Sequence, residues 1–379
     1  MTRYLIAPNS FKDCLPALEV GLAIQKGILS NNPSSFTKVI PMADGGQGTV
    51  DAILYSLGGT KHQVQVKDPL MRDIQTFFGI LADAKTAIIE MAAASGLERL
   101  IPEERNPWNT SSYGTGQLIA HTLDLGCTHI IIGIGGSATN DGGTGMAQAL
   151  GVQFLNAGGQ KIQPCGGNLH KIAKIDVSMM DRRLKQASIQ VITDVVNPFY
   201  GPTGASFVFG PQKGAAYEMV LELEKGMGHY ATLLEHTFGI QINSIVGGGA
   251  AGGVGAALKI FAGAGLVSGT DFLAGLFNLD DEIRNSDVVI TAEGSFDRQT
   301  LYGKAPMGLA KLAKKYHKPL FVFTGRAASD LGDLKEKGIT AVVPIGQHPA
   351  TLAESIQQAP NWLKAAGFMT AAIFESNSH

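Results

Sequence analysis

The stretch Arg3-Tyr4-Leu5-Ile6-Ala7-Pro8-Asn9-Ser10-Phe11-Lys12-Asp13 decides the fold. A short apolar run stops at a polar loop, and a helical pattern over Ala17 to Leu29 follows. Strand, polar loop, helix is the repeating unit of a parallel sheet covered on both faces. The unit recurs at Lys38 to Pro41, which leads into Ala43-Asp44-Gly45-Gly46-Gln47-Gly48 and a helix over Gly48 to Leu57. It recurs at Asp287 to Ala292, before Glu293-Gly294-Ser295-Phe296-Asp297-Arg298 and a helix over Pro306 to Tyr316. Strands at Pro319 to Thr324, before Gly325-Arg326, and at Thr340 to Pro344 complete five.

These five strands predict an α/β fold with a flavodoxin-like parallel sheet. In such sheets ligands bind outside the carboxyl ends of the strands. More than two hundred residues separate the second strand from the third. No ordinary crossover is that long, so the segment folds as a body of its own. The predicted domains are 1–60 with 266–379, and an inserted 61–265. The insert has strands at His62 to Lys67, Ile74 to Leu81, Ala87 to Ala92, His129 to Gly133 and Ile189 to Thr193. The first two are joined by Asp68 to Asp73, too short a link for a crossover, and so run antiparallel; helical connections make the others largely parallel. The insert is a mixed α/β sheet, and two such sheet edges facing each other would form an interdomain cleft. Gly58-Gly59 and Gly263-Ala264-Gly265 are positioned as hinges, or equally as helix stops.

Composition narrows the function. Forty-eight of 379 residues are glycine, without a repeat that would explain them, and the excess is expected in loops. A formal net charge of -2 gives no general attraction for nucleic acid or an anionic membrane. The N-terminus enters a strand without a secretory signal, so a cytoplasmic protein is expected. Cys14, Cys127 and Cys165 form no CxxC and suit buried reduced thiols; nine histidines make no metal pattern. Ile245 to Gly269 is almost uncharged, but its nine glycines and Lys259 suit a glycine loop and a buried helix better than a membrane span. No heptad pattern or exposed apolar strand edge marks an oligomer interface.

The chemistry sits in the loops. Asn9-Ser10-Phe11-Lys12-Asp13 offers amides, a helix N-terminus and an ammonium to a phosphate or carboxylate, or serves as a plain capping turn. Asp44 among three glycines takes a proton, holds Mg²⁺, or caps a helix. Gly133 to Gly145 is the densest loop, with Gly135, Gly136, Ser137, Asn140, Asp141, Gly142 and Gly143. It matches GxGxxG/A, but no acid lies about twenty residues on to hold a ribose, and it lacks the last glycine of a nucleophile elbow. A nest of amides for phosphate oxygens is what remains. Glu293, Asp297 and Arg298 crowd one loop, and Arg326 follows the next strand as a planar fork for an anion. Asp194 directly follows a buried strand and precedes Asn197-Pro198.

At these residues the chain resembles the type 1 glycerate kinase family, nearly end to end. The shared motifs are Ala7 to Lys12, Ala43 to Gly46, Gly133 to Gly143, Asp194 to Pro198 and Thr291 to Asp297. No motif departs from the family pattern. The resemblance implies a flavodoxin-like domain interrupted by a second mixed-sheet α/β domain resembling restriction endonucleases. It also implies ATP with Mg²⁺, and D-glycerate converted to 2-phosphoglycerate. Phosphoryl transfer needs alignment, charge neutralisation and a proton acceptor. With that reading, Gly135 to Gly143 and Lys12 hold phosphates, Asn9, Ser10, Arg298 or Arg326 hold glycerate, and Asp194 is the base. Asp44, Glu293 and Asp297 hold Mg²⁺, with Asp44 able to exchange roles with Asp194. The competing readings are a kinase giving 3-phosphoglycerate or acting on another small hydroxy acid, a dehydrogenase, and a non-catalytic sugar-acid binding protein.

Overall fold

A computed structural model describes residues 1–43, 45–297 and 305–376. The chain divides into two compact units: one of Met1–Ala43, Asp51–Leu57 and Thr270–His379, the other of Asp44–Val50 and Gly58–Gly269.

The first unit holds a wholly parallel five-stranded sheet: β1 (Arg3–Ile6), β2 (Phe36–Val39), β11 (Val288–Phe296), β12 (Leu320–Ala327) and β13 (Ala341–Pro344). Their order is β13-β12-β11-β1-β2. Counted within this unit it is 2-1-3-4-5, the flavodoxin-like order expected from the sequence. Central strands must be apolar on both faces. Accordingly Leu5, Ile6, Val288, Val289 and Ile290 are all buried, whereas the edge strands β2 and β13 are only partly covered. The α1 helix (Ala17–Asn31) lies against α12 (Leu352–Ser376), a long C-terminal helix the sequence reading did not identify. They meet through glycine. A Cβ on Gly27 would stand 2.0 Å from the Lys364 carbonyl oxygen, and one on Gly367 would stand 2.5 Å from that of Ile24. The glycine excess is therefore not confined to loops.

The second unit holds a six-stranded mixed sheet in the order β10-β9-β6-β5-β4-β3. Its strands are β3 (Gly59–Lys67), β4 (Asp73–Leu81), β5 (Thr86–Glu90), β6 (His129–Gly133), β9 (Ser188–Ile192) and β10 (Gly265–Val267). β5, β6, β9 and β10 are parallel, and β3 runs antiparallel to β4 as expected. β4 and β5 are antiparallel too, because the link Ala82 to Lys85 permits only a hairpin. A small antiparallel pair, β7 (Gln153–Leu155) with β8 (Lys174–Asp176), and the long helix α7 (Tyr217–Phe238) went unread in the sequence. The Asp68 to Asp73 turn is held by buried Asp68, which accepts from the Leu70 and Arg72 amides at 2.8 and 2.9 Å.

Helix α2 (Thr49–Leu57) ends at Gly58 with φ 77°, and α8 (Val254–Ala262) ends at Gly263 with φ 63°. Both are left-handed helix stops. The Ile245 to Gly269 region is a glycine-rich turn followed by buried α8, and among the described residues no helix is long and apolar enough to cross a membrane.

Candidate functional site

In the first unit the strand order reverses between β1 and β11, where such sheets bind ligands. The Asn9 amide donates to the Ala292 carbonyl at 2.8 Å, tying the two strand ends together. Phe11 to Leu15 then closes on itself: each of those two amides donates to the other's carbonyl at 2.9 Å, and Asp13 sits at φ 58°. Helix α1 starts only at Ala17, behind Pro16, and no side chain caps it. Lys12 and Asp13 are thus exposed on a turn rather than placed on the helix N-terminus, as the sequence suggested. Asn9 and Ser10 are half-buried.

Gly294 adjoins this turn, since a Cβ there would be 3.6 Å from Phe11 Cα and 3.8 Å from the Lys12 nitrogen. Glu293 is buried and Asp297 half-buried. Glu293 pairs in register with Thr324, and Ser295 with exposed Arg326. One edge therefore gathers Lys12, Glu293, Asp297 and Arg326. Asp44 and Arg298 lie outside the described residues.

In the second unit two of the glycine loops touch directly. The Gly135 amide donates to the Gly45 carbonyl at 3.0 Å. A Cβ on Gly133 would stand 2.2 Å from that same oxygen, and one on Gly135 would stand 3.0 Å from Gly46 Cα. Only glycine lets the backbones approach so closely. The Gly135-Gly136 turn remains partly open, and Ser137 is buried. On its other side the Leu97 amide donates to the Gly136 carbonyl, and the Ala138 amide to that of Ser95, both at 2.9 Å.

The rest of the loop is interior. Asp141 is fully buried, and its carboxylate accepts from the Ser112 amide and hydroxyl, each at 2.8 Å, and from the Gly143 and Gly145 amides, each at 3.1 Å. Burial pushes its carboxyl up, against those hydrogen bonds. Asn140 donates to the Ser206 hydroxyl at 3.1 Å. The Gly142 amide is taken by the Gly252 carbonyl at 2.9 Å. Lys213, which the sequence reading passed over, is buried here and donates to the Thr139 carbonyl at 2.6 Å. Burial pushes its ammonium down to about 7, and the Asp141 charge works the other way. Asn140 to Gly143 thus braces the loop from within, and the solvent-facing part of the expected phosphate nest is Gly135-Gly136.

Asp194 follows β9 and is exposed. One oxygen, Oδ1, accepts from the Gly269 amide at 2.8 Å and the Ser268 hydroxyl at 3.1 Å. Oδ2 has no hydrogen-bond partner among the described residues. The carboxylate is thus fixed by the end of β10, a strand the sequence reading missed, more than by the Asn197-Pro198 turn.

A pocket of about 170 Å³ opens at the same sheet, lined by Gln47, Phe77, Glu90, Glu98 and Arg99 with two alanines. Phe77, Glu90, Glu98 and Arg99 were not singled out from the sequence, and Gln47 was read only as part of the Asp44 loop. A charged residue closing the buried run Ala87-Ile88-Ile89 was the available signal at Glu90. Glu90 is buried, accepts from the Val50 amide at 2.7 Å, and pairs in register with Gly133.

A flavodoxin-like sheet joined to a mixed-sheet unit, each with acids, bases and glycine turns at strand ends, defines an α/β enzyme of small-molecule chemistry. The glycerate kinase family model matches residues 4–375, and the chain belongs to that family. It is 45% identical over 357 residues to the glycerate 2-kinase of Escherichia coli K12, covering 94% of each chain. It is 44% identical to the glycerate kinase of Bacillus cereus ATCC 10987, covering 98% of each. A crystal structure assigned as glycerate kinase 2 from Salmonella typhimurium LT2 superposes with a TM-score of 0.88 at 42% identity, covering 100% of this chain and 99% of that one.

Proposed function

We propose that this kinase transfers the γ-phosphoryl group of ATP to D-glycerate, giving 2-phosphoglycerate. The observation that carries the reading is the family match along nearly the whole chain, reinforced by identity above 40% to kinases named for glycerate. The residues at the strand ends fit the needs of phosphoryl transfer, which are mainly alignment and charge neutralisation. In the first unit Lys12 and Arg326 supply exposed positive charge to an anionic substrate; in the second the Gly136 and Ser137 amides are offered to phosphate oxygens, the Gly135 amide being taken by Gly45. Asp194 accepts the proton of the attacking hydroxyl through Oδ2, while its Oδ1 is held by Ser268 and Gly269.

Mg²⁺ fits the acidic residues Glu293 and Asp297 at the end of β11. Among the described residues no cluster of three or more side-chain ligands is present. Mg²⁺ commonly takes one or two protein carboxylates and completes its shell with phosphates and water. When bound, the ion neutralises charge on the phosphates. A cytoplasmic location, where ATP is supplied, is part of the same proposal.

The test is ³¹P NMR of the protein with D-glycerate, ATP and Mg²⁺, beside reactions with L-glycerate and without acceptor. A new resonance of 2-phosphoglycerate is expected; one of 3-phosphoglycerate would keep the kinase and move the position. No new resonance from folded protein overturns the glycerate assignment. If Asp194→Asn retained near-normal turnover, Asp194 would not be the base.

A further inference from the structure

We propose that Arg99 is the anchor for the carboxylate of the hydroxy-acid substrate, within the pocket it shares with Glu90, Gln47 and Phe77. The inference rests on the kinase reading above. Size comes first. At about 170 Å³ the pocket has room for a three-carbon acid.

Charge comes second. Arg99 is half-buried, and its guanidinium donates from Nη2 to the Thr76 hydroxyl at 3.2 Å. Thr76 is itself buried and donates onward to the Ala93 carbonyl at 2.6 Å, so the contact orients Arg99 without neutralising it. Among the described residues no carboxylate lies within ion-pairing distance of Arg99. Its neighbour Arg72 differs: Asp68 and Glu104 hold it at 2.6 and 2.7 Å. A planar fork left with unmatched donors in a concave wall suits a carboxylate.

Glu90 narrows the class. A buried carboxylate in the same wall repels a second anionic group but accepts a hydrogen bond from a hydroxyl. Cation and acceptor together fit a molecule with one carboxylate and a neighbouring hydroxyl, and disfavour dicarboxylates. Phe77, with the Lys61 ammonium 4.2 Å from its ring centroid, and the alanines face the carbon chain. The Arg99 turn, Leu97–Arg99, is also tied to the Gly135-Gly136 turn through the Leu97 amide. The acid is thereby held beside the amides assigned to phosphate.

Arg99→Met and Arg99→Lys test this. For Arg99→Met the KM for D-glycerate should rise about 30- to 100-fold, the size expected for a lost charge-assisted contact, with KM for ATP within about twofold of wild type. Arg99→Lys, which keeps charge but loses the fork, should fall between. A role confined to folding would instead lower Tm and affect both substrates. A KM for glycerate within twofold of wild type in either folded variant overturns the proposal. Calorimetric titration of D-glycerate separates this from failure of the kinase reading. If wild type binds glycerate without phosphorylating it and Arg99→Met abolishes binding, the anchor stands and the kinase reading falls. If the folded wild type and Arg99→Met bind it alike, the anchor falls.

Discussion

Lys213 lies in the unremarkable run Gly210-Pro211-Gln212-Lys213-Gly214, which in the sequence resembles a surface turn. Its burial depends on what the rest of the unit packs over it, so no local pattern could reveal it. The same holds for Arg99, whose unmatched charge is a property of its neighbours in space. The loops themselves were legible, because glycine and acids after an apolar strand have a local physical meaning. What each loop residue does was not: Asp141 proves to be a buried brace and Asp194 an exposed, oriented carboxylate. Lys213 makes its burial testable. Its folded value is near 7 against an ordinary lysine value of 10.5, so the unfolded chain binds more protons between those limits. Stability is greatest above the unfolded value and falls as pH drops towards the folded one. Relative to Lys213→Met, the wild type should gain about 2 kcal/mol between pH 7 and 9, from roughly 1.4 kcal/mol per pH unit at full slope. Urea midpoints of both proteins at each pH check this; parallel midpoints would mean that Lys213 does not titrate there.

Helices and strands were legible to the extent that their signal is local. The five strands of the first sheet could be read because buried parallel strands are unbroken apolar runs. The short β10 strand, Gly265-Leu266-Val267, is too brief to stand out from its surroundings, and it became a strand only by pairing with β9. The antiparallel β4–β5 pairing turns on a short link that the sequence reading passed over. Glycines within helices were equally silent, since their reason lies on a partner helix. At the α1–α12 crossing, Gly27→Ala would drive a methyl into the Lys364 carbonyl, and the helices must part. The expected cost is about 1–3 kcal/mol, typical of overpacking, read as a lower denaturation midpoint. Gly265→Ala is the contrast: a Cβ there meets nothing within 4 Å, and its effect should be neutral or slightly stabilising. Equal losses at both positions would show that helix crowding is not what Gly27 relieves.

At the scale of the whole molecule, each unit has a sheet and a core of its own. The second unit's core is built from strands β3–β6 and β9 with helices α7 and α8, and the glycerate pocket proposed above is lined entirely by that unit. The long chain between β2 and β11 contributes the second unit, and it returns Asp51–Leu57 and the residues from Thr270 onward to the first. The membership of Asp44–Val50 was not legible in the sequence, because it depends on the Gly45 contact with Gly133 and Gly135 and on the Val50 amide reaching Glu90. A ligand that binds only the native second unit should stabilise that unit by mass action. At about one hundred times its Kd the increment is about 2.7 kcal/mol. With an unfolding entropy of about 2.1 cal/mol/K per residue, the roughly 220 residues of the second unit would melt about 6 °C higher. Distributed over all 379 residues in one cooperative transition, the same increment gives about 3 °C. Scanning calorimetry with D-glycerate should therefore raise the second unit's transition by the larger amount, and Arg99→Met should abolish the shift at the same ligand concentration. A shift of about 3 °C in a single peak would mean that the two units unfold together; an undiminished shift in Arg99→Met would place glycerate elsewhere.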